Sequence, residues 1–331
     1  MPSASTLDSR STWGLEKPAL GLSLGGIQRS DQAESNHRWV AFAEDLGLHS
    51  VWLPEMHFQP GVCPAPLVEL AGYAAVTQRL RLGTTSLLLP LHPPEEIAAE
   101  IATLDQISGG RLLIGLGRGF QKTMLEAFGV PPAEKRDRFD DALDRILALW
   151  AEHNGRAERS PLQTQQRPHP PLAVAAFGPK GLAQSARRGL PYLASPVETF
   201  EQIADNQARH RSLLPDPKAG ALSLVMRTVF VSDDEAILQT ARESLSREMQ
   251  GRRKGMPKAI NDSLEAPLEE RMVVGTTAEV TTRLIQEQER LGIDLLVARP
   301  QLSGIERSDQ ELSLTLLANE VWPAVISATS A

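Results

Sequence analysis

Short apolar runs alternate with amphipathic stretches along all 331 residues, and no other feature constrains the fold as much. Runs at 19–25, 49–53, 80–89, 111–115, 172–177, 190–194, 221–231 and 293–298 read as strands. The stretches 31–46, 65–78, 95–107, 121–150, 179–188, 199–214, 233–249, 276–291 and 309–326 carry apolar residues at helical spacing. In the first of these, Trp39, Phe42, Ala43 and Leu46 share a face, and Gly47 ends the helix. Strands this short and this continuously apolar, each followed by a helix, belong to a parallel sheet covered by helices. Eight such units in this length predict an α/β fold closed into a (β/α)8 TIM barrel. No composition shift marks a linker. The expectation is a polar N-terminal tail over 1–18 and one barrel domain over 19–331, with a charged, irregular insertion at 250–272 after strand seven.

Composition narrows the function. The chain is 41% hydrophobic and 23% charged, with a net charge of −7, and no basic patch is interleaved with aromatics. That argues against a nucleic-acid partner. Its apolar runs are too short to span a bilayer, and its first residues lack the apolar core of a signal peptide. One cysteine, Cys63, excludes an internal disulfide and fits a reducing cytoplasm. Neither H-x-x-x-H nor C-x-x-C occurs, so no metal site is expected.

The segment LDQISGGRLLIGLGRG (104–119) concentrates the chemistry. Five of the chain's 24 glycines lie between Gly109 and Gly119. Gly117 and Gly119 let the backbone approach a ligand, and Arg118 between them presents a rigid fork of donors. A phosphate cradle and a plain structural turn both fit this pattern. A dinucleotide fingerprint does not. Phe120 stands where G-x-G-x-x-G needs its third glycine, and Pro131-Pro132 leads into a helix instead of a second strand.

Four stretches together resemble the bacterial luciferase-like flavin-dependent monooxygenases and their deazaflavin relatives: WLPEMHF (52–58), RLRLGTTSLLLPLHPPEEIAAE (79–100), LDQISGGRLLIGLGRGFQKTMLEAFG (104–129) and PLAVAAFGPKGLAQSARRGLP (171–191). VVGTTAEVTTRLIQEQERLGIDLLV (273–297) is a fainter echo. The resemblance implies FMN, or deazaflavin F420, at the C-terminal ends of the barrel strands. It assigns the cofactor phosphate to Arg118, to the backbone of Gly119 and Phe120, and to Phe177-Gly178. Lys180 joins them on charge grounds. Thr85-Ser86 falls where the family often has a non-proline cis peptide under the flavin ring. The implied activity is oxidation of a small organic substrate by reduced FMN and O₂ through a flavin peroxide. A separate reductase would supply the electrons, since no nicotinamide fingerprint is visible. Family members are commonly homodimers.

The strand-two exit departs from the family, in which adjacent histidines follow the glutamate. Here Met56 occupies the first position, that of the family's base, and His57 the second. His57 is therefore the expected catalytic residue, with Glu55 a candidate hydrogen-bond partner, and Met56 and His92 are expected to line the substrate pocket. Asp140, Asp141 and Asp144 read as a solvated helix face partly paired with Arg136, Arg138 and Arg145. The insertion 250–272 is expected to act as a lid. Two alternatives stay open: an F420-dependent dehydrogenase or reductase on the same barrel, and a non-catalytic flavin-binding relative or partner subunit.

Overall fold

The structure is a computed structural model that describes residues 9–27, 30–59, 61–156, 160–216, 222–250 and 258–330. Its first half runs α1 (Ser9–Trp13), β1 (Ala19–Ser23), α2 (Ser30–Asp45), β2 (Ser50–Leu53), α3 (Pro66–Val76), β3 (Arg81–Leu88), α4 (Pro94–Ile107), β4 (Leu112–Gly117), α5 (Lys122–Ala127), α6 (Lys135–Asn154) and β5 (Leu172–Ala175). Its second half runs α7 (Pro179–Ala186), β6 (Tyr192–Ala194), α8 (Phe200–Leu213), β7 (Leu224–Val231), α9 (Glu235–Gln250), α10 (Lys258–Glu265), α11 (Leu268–Arg271), β8 (Met272–Gly275), α12 (Thr277–Leu291), β9 (Leu295–Arg299), α13 (Arg307–Leu316) and α14 (Trp322–Thr329). Neighbouring strands follow the order β6-β5-β4-β3-β2-β1-β9-β7-β8, with an additional β6–β7 pairing. That pairing closes eight parallel strands into the expected (β/α)8 barrel. No helix among the described residues is long and apolar enough to cross a membrane.

The ninth strand is a correction to the expected eight. β7 is eight residues long and fully buried. Its first half pairs with β9 and its second half, Thr228–Val231, pairs with β8. The insertion expected to be irregular is also more ordered. Within 250–272, α10 buries Ile260 and Leu264, four residues apart, and α11 leads directly into β8. Charged neighbours mask that spacing in the sequence. Residues 251–257, on which part of the expected lid falls, lie outside the described residues.

The chain divides into two compact units, residues 23–175 and residues 1–22 with 176–331. In the first unit, β2, β3, β4 and β5 pair in parallel register. Every residue of β2 and β4 is buried, as expected for strands covered on both faces. Trp52 lies across the backbone of β3. A Cβ at Gly83 would sit 2.3 Å from its ring, so only glycine fits there. At the start of β4, Arg111 donates to the carbonyls of Ala74 (3.0 Å), Leu80 (2.8 Å) and Ser108 (2.7 Å), and to Thr77 Oγ1 (2.8 Å). The glycine-rich segment thus has a structural arginine at one end of its strand and Arg118 at the other.

In the second unit, packing begins at α1, inside the stretch expected as a polar tail. Trp13 and Leu15 are buried, and Arg10 pairs with Asp294 at 2.6 Å. Near the C-terminus, one π-helical turn (Leu317–Val321) precedes Pro323, whose ring nitrogen cannot donate to the helix ladder. A buried polar network ties β6 and β7 to the helices around them. Arg227, fully buried, pairs with Glu287 at 3.2 Å and donates to the carbonyls of Glu198 (2.9 Å) and Arg271 (3.0 Å). The Glu198 carboxylate accepts from Tyr192 Oη, Ser195 N–H (2.7 Å) and Asn206 Nδ2 (2.6 Å).

Burial pushes the Glu198 carboxyl up to about 7 against those three donors and the Arg227 charge. An acid that keeps its proton to higher pH in the folded state than in the unfolded chain loses stability as pH rises between the two pKa values. The unfolding free energy is therefore expected to fall between about pH 4.5 and pH 7. Denaturant melts across this window are expected to show a shallower fall for Glu198→Gln than for the wild type. An identical slope would remove Glu198 as the cause.

Candidate active site

The strand-two exit is fixed by its backbone before any side chain acts. Glu55 N–H donates to Ser86 O at 3.2 Å, and Met56 N–H donates to Cys63 O at 2.8 Å. Glu55 and Cys63 form a parallel bridge. This backbone directs the Glu55 side chain inward, where it is 0% exposed.

Three donors converge on that carboxylate. His57 Nε2 donates to Oε1 at 2.8 Å, and His92 Nε2 donates to the same oxygen at 2.9 Å. Leu88 N–H donates to Oε2 at 2.6 Å. A buried carboxylate is costly unless its acceptor sites are filled, and these bonds fill them. For a neutral imidazole, donation through Nε2 leaves Nδ1 as the basic nitrogen. The His57 side chain is 12% exposed and that of His92 is 25% exposed. Burial lowers the pKa of His92, but the hydrogen bond and charge of Glu55, aided by Glu100 and Glu96, outweigh it and raise the pKa. The candidate partnership of Glu55 with His57 is present. The second histidine on the same oxygen was not legible in the sequence, because His92 lies 37 positions from Glu55. From the sequence His92 is a pocket residue and a second candidate for the proton-transfer role after His57, not a partner of Glu55.

Met56 points elsewhere. It packs against Leu88, Leu91, Met124, Leu125 and Val130, so its thioether fills an apolar floor. Ser86 links the exit to the glycine-rich strand. A Cβ at Gly117 would lie 2.0 Å from Ser86 Oγ, which explains glycine at that position. The Thr85–Ser86 peptide is cis. Thr85 Oγ1 is buried and has no hydrogen-bond partner. Gly119 takes a φ of +69°, and a Cβ there would press on Met124, Leu125 and Leu88 of the same apolar floor. Phe120 follows, half-buried, before α5.

Arg118 turns the other way. It donates through Nη2 to the carbonyl of Ala175 at 2.9 Å and lies 5.8 Å from the Phe139 ring centroid. Burial first, and Arg136 second, pull its pKa down to about 10, while Asp140 opposes them. Burial, Arg136 and Arg118 likewise lower the pKa of Lys135. A solvated helix face partly paired with neighbouring arginines was expected here, and Asp141 and Asp144 are exposed. Arg138 bonds Glu134 at 3.0 Å, Arg145 bonds Glu95 at 2.7 Å, and the Asp140 charge acts on Arg118. Lys135 and Arg136 join Arg118 in a positive locus that the sequence did not reveal.

The remaining phosphate candidates lie in the second unit. Phe177 and Gly178 are half-buried, Gly178 is the N-cap of α7, and Lys180 is an exposed residue of that helix's first turn. A Cβ at Gly178 would meet nothing within 4 Å, so the cap is open to a close approach. The donor set of a helix start suits phosphate.

The family model for luciferase-like monooxygenases matches residues 18–295. The chain belongs to the luciferase-like monooxygenase family. It is 27% identical over 315 residues to the oxygenase component of flavin-dependent trigonelline monooxygenase from Acinetobacter baylyi, covering 85% of this chain and 87% of that one. It is 36% identical over 194 residues to F420-dependent glucose-6-phosphate dehydrogenase from Kineococcus radiotolerans, covering 54% and 55% of the two chains. The fold matches the oxygenating constituent of 3,6-diketocamphane monooxygenase from Pseudomonas putida, solved in complex with FMN. The TM-score is 0.76 at 18% identity, over 93% of this chain and 99% of that one.

Replacing Glu55 by Gln removes the charge that contributes most to raising His92 and leaves burial opposed only by the smaller effects of Glu100 and Glu96. Histidine resonances followed by NMR titration are expected to show a lower His92 pKa in Glu55→Gln. An unchanged value would contradict the shared carboxylate.

Proposed function

We propose that this chain is a flavin-dependent monooxygenase that oxidises a small organic substrate with reduced FMN and O₂. The observation that carries the reading is Arg118 at the end of β4, a guanidinium disfavoured by burial and by Arg136 and only partly offset by Asp140. An anion there relieves that penalty, and a flavin phosphate supplies about two negative charges. The residues of the site fit a flavin. Arg118, Gly119 and the backbone at Phe120 would hold its phosphate in the first unit. Phe177, Gly178 and Lys180 carry donors of the same kind in the second. Thr85 and Ser86 would face the flavin ring, and the buried Thr85 hydroxyl without a partner is a group such a ring would satisfy.

A bound reduced flavin would supply the two electrons for reducing O₂, with one oxygen atom going to the substrate and the other to water. The chain's own residues handle the proton and the surroundings. His57 takes or returns a proton at Nδ1, while its Nε2–H stays on Glu55. The buried carboxylate fixes the orientation of the ring. His92 on the same oxygen carries part of the compensating charge. The Met56 floor keeps that side apolar. Electrons come from a separate flavin reductase, a reading supported by the trigonelline relative being named an oxygenase component. The working unit is a cytoplasmic homodimer in this reading, supported by family habit and by a lone cysteine. The F420-dependent reading draws support from the glucose-6-phosphate dehydrogenase relative, and F420 also presents a phosphate to Arg118.

Loss of a hydrogen bond to a charged group costs about 1.5–3 kcal/mol, or roughly ten- to a hundredfold in affinity. Arg118→Ala is expected to weaken FMN binding by about that factor, measured by quenching of flavin fluorescence. Unchanged affinity would refute the phosphate assignment.

A further inference from the structure

We infer that the exposed rings beside His57 form a shelf for a flat aromatic or heteroaromatic substrate, with Phe58 and Phe128 as its specificity-determining residues. The inference rests on the reading of His57 as the residue that meets substrate. Phe58 is 74% exposed and Phe128 is 38% exposed. Their ring centroids lie 5.9 Å apart, and each contacts the His57 imidazole, at 5.9 Å for Phe58 and 4.7 Å for Phe128. All three rings are tilted against one another, at 38° to 56°. The backbone of Phe58 has a φ of 60°, a left-handed conformation costly for any residue with a Cβ. Phe58 fills no core at that exposure, so core packing does not explain a large aromatic held in a strained turn. Next to it His57 is held on a buried carboxylate, which makes the shelf one wall of the acid–base site.

The chemistry of the shelf selects its ligand. A fourth ring stacks or packs edge-on against such rings at centroid distances of about 4.5–7 Å, which a saturated ring of the same size does less well. A protein partner fits poorly, because a stable interface covers about 800 Å² per side, several times what two phenylalanine rings present. The shelf also sets the ligand beside His57, where a proton has to move.

The test uses the full chain, with acetophenone and its saturated analogue, cyclohexyl methyl ketone, as probes in calorimetric or ligand-observed NMR titrations. The wild type is expected to bind the aromatic ketone about three- to tenfold more tightly. Phe58→Leu and Phe128→Leu are each expected to reduce that preference, and Phe58→Trp to keep it. Equal binding of the two ketones by the wild type would overturn the inference, as would a preference that survives both leucine variants. A change of oligomeric state in Phe58→Leu with the preference intact would overturn it too, and would make the rings an interface. FMN quenching on the same samples separates the two readings. FMN binding without ring preference sinks the shelf alone, whereas ring preference without FMN binding sinks the flavin reading and leaves the shelf standing.

Discussion

A single buried carboxylate organises the candidate site. Glu55 is held from both sides of its own peptide, by Ser86 and Cys63 through the backbone, before its side chain meets three donors. Without His57, His92 and the Leu88 amide, a charge at that depth would be untenable. Without Glu55, neither imidazole has a fixed tautomer or orientation. The position at which the family resemblance implies a histidine can thus be methionine here without dissolving the site. His57 takes its orientation from Glu55, and Met56 rests on an apolar floor.

The barrel was legible in the sequence because parallel strands buried on both faces leave continuous apolar runs, and helices leave their spacing. What escaped was set by distant partners. β8 is four residues after a charged turn, and only pairing with the far half of β7 makes it a strand. The helix α10 hides two buried apolar residues among polar ones. Residues 9–18 look polar, yet Trp13 and Leu15 hold them in place.

The site was legible to a similar depth. His57, Arg118 and the glycines follow from local motif and family resemblance, and Gly117 has its reason in the Ser86 hydroxyl. His92 reaches Glu55 across a strand and a turn, so no local pattern announces it. Arg136 reads in the sequence as part of an ordinary helix-face charge pattern, whereas in the structure its charge acts on Arg118. The glycine-rich segment itself resolves into two parts. Arg111 clasps one end of β4 for stability, and Arg118 at the other end is the candidate for ligand binding.

The cofactor is tested most directly by an anaerobic competition titration of the wild-type chain with reduced FMN and reduced F420, followed by admission of O₂. Reduced FMN is expected to bind more tightly, by about tenfold or more (about 1.4 kcal/mol), and to consume O₂ once bound. Preference for F420 with no oxygen uptake, or binding of neither cofactor, would contradict that expectation.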